Sequence, residues 1–111
     1  LYRLDEAMSI FNSLLPIAKR NMLSNDYKVI LNSLAIAYTD RANYDKALEC
    51  NFQSLLIREA EGNKAEISIS LGNIGRVYYK LTDFEKAIEY YNRSLKLIRE
   101  SKNDYGLDFT Q

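Results

Sequence analysis

The stretch LTDFEKAIEYYNRSL at 81–95 has two earlier counterparts at a constant offset of 40, RANYDKALECNFQSL at 41–55 and LYRLDEAMSIFNSLL at 1–15. Alanine returns at 7, 47 and 87, and the large and charged positions keep step around it. A period of this length marks an array of like units, each too small to bury its apolar face alone and each stabilised by stacking on its neighbour.

Within the last copy Phe84, Ala87, Ile88, Tyr91, Leu95 and Ile98 recur at steps of three and four, the spacing of one helix face. The preceding segment does the same through Ile67, Leu71, Ile74, Gly75, Tyr78 and Leu81. Between them Thr82 and Asp83 are short polar side chains able to cap the next helix, with Glu85 in its first turn. The unit before it has the same layout, with Tyr27, Leu31, Leu34, Ala35 and Tyr38, a turn at RAN, then Tyr44, Ala47, Leu48, Leu55 and Ile57. EGN at 61–63 and SKN at 101–103 end the units, since Gly and Asn tolerate the left-handed conformation beyond a helix.

The expected architecture is all-α, about five helices in stacked antiparallel hairpins with a C-terminal partial helix. Residues 1–23 read as the second helix of a truncated repeat, 24–63 and 64–103 as full repeats, and 104–111 as the start of a further helix. Pro16 falls inside the first helix and predicts a kink there. The chain opens on Leu1 in mid-repeat, so a piece of a longer protein is expected.

Composition narrows the chemistry. With 47% hydrophobic residues the 111-residue chain has the material for a continuous core. Fifteen basic against fifteen acidic residues leave no net charge, which removes the positive field that nucleic-acid binding needs. There is no histidine and one cysteine, so Ser-His or Cys-His nucleophile pairs, an internal disulfide and a metal cage are all excluded. No enzyme activity, cofactor or membrane span is expected from these residues, and the compartment, cytoplasmic or bacterial periplasmic, stays open. Cys50 reads as a small hydrophobe at the edge of the stripe. Glu89 and Arg93 read as a supporting ion pair, and Tyr78 and Tyr91 as core with Tyr79 and Tyr90 outside.

Leu71, Ile74, Gly75, Tyr78, Ala87, Tyr91 and Ser94, with Leu31, Leu34, Ala35, Tyr38, Ala47, Asn51 and Ser54 before them, resemble the tetratricopeptide repeat in an extended form. Its period is longer than the family's usual one of about 34 residues. Asn51 stands where the family has an aromatic residue, and the family's tryptophan and closing proline are missing. The resemblance implies a right-handed superhelix in which Gly75 meets Ala87, and Ala35 meets Ala47, so that paired helices approach closely.

It also implies that first helices line a concave binding groove. Candidate groove residues are Asn32, Ile36, Thr39 and Asp40 in one repeat and Asn73, Arg76, Tyr79 and Lys80 in the next, flanked by Val29 and Ile69. Arg76 and Lys80 lie four apart and suit a peptide or protein partner bearing an acidic or C-terminal carboxylate, a solvated helix face being the alternative. The arrays of bacterial sensor histidine kinases, helix-turn-helix regulators, kinesin light chains and Pins-type adaptors look similar. The expected function is a regulatory binding module. A self-assembling segment is the competing expectation, with Leu4, Phe11, Leu14, Leu15, Leu107 and Phe109 pairing as a homodimer through the terminal helices.

Overall fold

A computed structural model describes the backbone of residues 2–20 and 24–104 and the side chains of residues 5–17 and 26–102. It holds α1 (Tyr2–Arg20), α2 (Ser24–Asp40), α3 (Tyr44–Glu61), α4 (Lys64–Lys80) and α5 (Phe84–Asp104), with no strand among the described residues. The fold is the all-α arrangement of packed helices that the period requires. Helix α1 runs unbroken through Pro16. Helix α5 continues past Asn103 to Asp104, and the further helix expected beyond it, with Leu107 and Phe109, lies outside the described residues. The helices form two compact units, Leu1–Ile57 and Arg58–Gln111.

In the first unit α2 runs antiparallel to both neighbours. Arg41 at its end pairs with Asp5 at the start of α1, and Asn12 donates to the Tyr38 hydroxyl at 3.2 Å. On the α3 side the Tyr27 hydroxyl donates to Gln53 at 3.3 Å, while Lys46 lies 5.8 Å from the centroid of the Tyr38 ring. Leu31, Leu34, Ala35 and Ala47 are buried, as the periodicity of both helices requires.

In the second unit α4 and α5 pack antiparallel. Gly75 leaves no room for a side chain: a Cβ there would come within 3.0 Å of the Tyr91 ring and 3.3 Å of the Ala87 carbonyl. The expected close approach of small residues is therefore observed, with Ala87 buried beneath it. One turn along, the Ser94 hydroxyl donates to the Ser68 carbonyl at 2.8 Å and ties the two helices together. Tyr78 and Tyr90 stack with centroids 5.6 Å apart.

The turn from α2 to α3 and the turn from α4 to α5 are the same backbone device. Asn43 N–H bonds the Tyr38 carbonyl and Ala42 N–H that of Thr39, and Asp83 and Thr82 repeat these bonds to Tyr78 and Tyr79. This is the Schellman closure, whose penultimate residue takes positive φ. Here that residue is Ala42 at 60° or Thr82 at 61°, neither of them glycine. Asp83 then accepts from the Lys86 amide, the cap expected of it. The α3–α4 turn uses Gly62 at φ 77°, as anticipated. Asn63 does not share that left-handed role. It is extended and caps α4 by accepting from the Glu66 amide at 3.1 Å.

Three expectations about packing need correction. The apolar stripe of α5 is not its core face: Phe84, Ile88, Tyr91, Leu95 and Ile98 are all exposed, because α4 lies against the adjacent face carrying Ala87, Tyr90 and Ser94. Tyr90 is accordingly engaged with Tyr78 while Tyr91, laid over Gly75, keeps much of its surface. Leu81, at the end of α4, is exposed as well. Arg93, for which spacing gives a Glu89 partner, lies over the Tyr90 ring at 5.1 Å.

Candidate functional site

Each first helix presents a stripe opposite its buried face. On α2, Val29, Asn32, Ile36 and Asp40 lie within about one third of the helix circumference, and all but the half-buried Asn32 are exposed. On α4 the matching stripe is Ile69, Asn73, Arg76 and Lys80, with Asn73 half-buried and the others exposed. Tyr79 stands to one side of that stripe, exposed, its ring 5.5 Å edge-on from Phe84.

Thr39 leaves the candidate set. Its side chain is 5% exposed and its hydroxyl donates to the Ala35 carbonyl of its own helix at 2.7 Å. A threonine bonded back to its own backbone has no donor left for a ligand. The remaining seven candidates occupy two helices with contrasting chemistry: apolar and acidic through Ile36 and Asp40, aromatic and basic through Tyr79, Arg76 and Lys80.

Cys50 is buried, and desolvation first, then the Glu49 carboxylate, raise its thiol from 9.0 to about 11, with Lys46 opposing. A thiol held there is protonated at neutral pH and is no nucleophile. It lines a cleft of about 150 Å³ with Leu31, Leu34, Tyr38 and Gln53. That volume falls short of the roughly 300 Å³ at which small-molecule sites begin. Among the described residues no group of three His, Cys, Asp or Glu side chains is placed to hold a metal, and no helix is long and apolar enough to cross a membrane.

Arg58 is a residue that sequence reasoning missed. It is buried at the end of α3, donating to Ser70 Oγ at 2.9 Å and to the Glu66 carbonyl at 3.2 Å, with Glu66 Oε1 at 3.7 Å. A buried guanidinium held by this many acceptors is a structural clamp on the start of α4. The signal for it was its place at an apolar step of α3, where Ile98 stands in α5.

Comparison with known proteins bears on the family of the repeat. The tetratricopeptide repeat profile matches residues 26–100. A TPR repeat-containing protein of Methanocaldococcus jannaschii is 33% identical over 100 residues, 90% of this chain and 15% of that protein. Response regulator aspartate phosphatase A of Bacillus subtilis is 33% identical over 67 residues, 60% of the chain and 18% of its own length. Heat shock protein STI1 of Saccharomyces cerevisiae is 38% identical over 66 residues, covering 59% and 11%. The chain thus spans less than a fifth of each of these relatives. No solved structure matches it.

Proposed function

This chain belongs to the tetratricopeptide repeat family, and on that premise we propose that it binds a peptide or protein segment through the exposed stripe of α4. The observation that carries the reading is on α4: Arg76 and Lys80, four residues apart and both exposed, share a stripe with exposed Ile69, next to an exposed Tyr79. Two cations on one helix face suit a carboxylate, and apolar neighbours suit the side chain beside it. The favoured ligand is an acidic peptide or one read at its C-terminal carboxylate. Asn73 is the further contact residue on α4, and Asn32, Ile36 and Asp40 form the corresponding candidate stripe on α2.

The role in the cell is that of a regulatory segment in a larger bacterial signalling protein, and the likeness to a response regulator aspartate phosphatase supports it. The module itself binds and does no chemistry. Fluorescence polarisation with an acidic peptide library, each member with a free or an amidated C-terminus, tests the site. Arg76→Glu should weaken the best binder by about tenfold or more. An affinity unmoved by that substitution would remove α4 from the site.

A further inference from the structure

We propose that the cleft beside Cys50 takes one tyrosine side chain of a partner polypeptide, and that the second hairpin of the same chain shows how such a ring sits. In that hairpin Tyr90 of α5 stacks on Tyr78 of α4, with centroids 5.6 Å apart and 18° between the planes, and Lys86 lies 5.2 Å from the Tyr78 centroid. At an offset of 40 the same frame recurs: Tyr38 holds the place of Tyr78, and Lys46 lies 5.8 Å from its centroid. What changes is the stacked partner, for Cys50 stands in the position of Tyr90.

A thiol in place of a phenol ring leaves space. The cleft of about 150 Å³ bounded by Leu31, Leu34, Tyr38, Cys50 and Gln53 is that space. A protein cavity of about 150 Å³ holds a single benzene ring, so a volume too small for most small-molecule ligands suits one aromatic side chain. Tyr38 is 8% exposed and forms the floor, while Lys46 and Glu49, exposed and also lining the cleft, form the rim. That rim favours a phenol over a plain phenyl group. A tyrosine hydroxyl can donate to the Glu49 carboxylate or accept from the Lys46 ammonium, with its ring laid against Tyr38 and the leucines. Aromatic side chains seated in such pockets are frequent anchors of protein interfaces. All the lining residues belong to α1, α2 and α3 of the first unit, and none to the α4 stripe.

Heteronuclear NMR titration of the 111-residue chain tests this with a tyrosine flanked by glycines in a pentapeptide, the same peptide with leucine, and p-cresol, the bare side chain of tyrosine. The tyrosine peptide and p-cresol should shift the Tyr38, Cys50 and Gln53 amides saturably, and the tyrosine peptide should bind about tenfold or more tighter than the leucine peptide. Cys50→Tyr supplies the ring from within, and should raise Tm while weakening the tyrosine peptide about tenfold or more. Cys50→Ala, which leaves the space open, should bind as the parent does. A tyrosine peptide no better than its leucine counterpart, or binding that survives Cys50→Tyr, would overturn the proposal. Binding of p-cresol without the tyrosine peptide would overturn the polypeptide partner and assign the cleft to a free phenol. A Cys50→Tyr chain less stable than the parent, or unfolded, would show that the space admits no ring. Arg76→Glu should leave this binding unchanged, so the cleft and the α4 stripe stand or fall separately.

Discussion

Helices α3 and α5 hold the same place in the repeat, offset by 40 residues, yet they treat the same helical face in opposite ways. On α3 the positions are Tyr44, Leu48, Asn51, Leu55 and Arg58, and the last three are buried. On α5 they are Phe84, Ile88, Tyr91, Leu95 and Ile98, and every one is exposed. The buried version is thus the more polar: Asn51 is 2% exposed where Tyr91 is 37% exposed, and Arg58 is buried where Ile98 is not. Hydrophobicity marks which faces seek cover, while the actual cover depends on what lies alongside.

Leucines at equivalent positions give the widest separation. Leu55 is 6% exposed and Leu95 48%, so Leu55→Ala should cost roughly 2–4 kcal/mol and Leu95→Ala less than about 1 kcal/mol, read by urea unfolding. Equal losses would erase the contrast between the helices. On the other face the two should agree. Ala47 and Ala87 are both buried, and replacement of either by leucine should overpack its hairpin by roughly 1–3 kcal/mol, visible as a lower Tm. The smallest difference separates two serines. Ser94 bridges to Ser68, whereas the buried Ser54 hydroxyl has no hydrogen-bond partner among the described residues. Ser94→Ala should therefore cost about 1 kcal/mol and Ser54→Ala nothing or a slight gain, measured by the same unfolding.

The period of 40 and the alanine at 47 and 87 carried the succession of helices and the contact of Gly75 with Ala87. What spacing merged on α5 was two adjacent faces, because Ala87 belongs to one and Ile88 to the other while both fit steps of three and four. Thr39 illustrates a different limit. Its hydroxyl finds a carbonyl four residues back, and no residue pattern distinguishes that from a hydroxyl offered to a ligand. Arg58 was illegible for a third reason: arginine at an apolar step reads as a solvated side chain until the acceptors that surround it, Ser70 and Glu66, are known. The exposed stripes of α2 and α4 were easier, since a long helix with one buried side leaves its opposite side to solvent.

Reversals built on backbone closure at Ala42 and Thr82 relieve those connectors of any need for glycine, although an L side chain there carries a conformational penalty on the order of 1–2 kcal/mol. Residue type at the loop tips is therefore held by the positive φ at 42 and 82, by the Asp83 cap and by the pairing of Arg41 with Asp5 rather than by core packing. Glycine at position 42 or 82 would relieve that penalty while leaving the backbone closure in place.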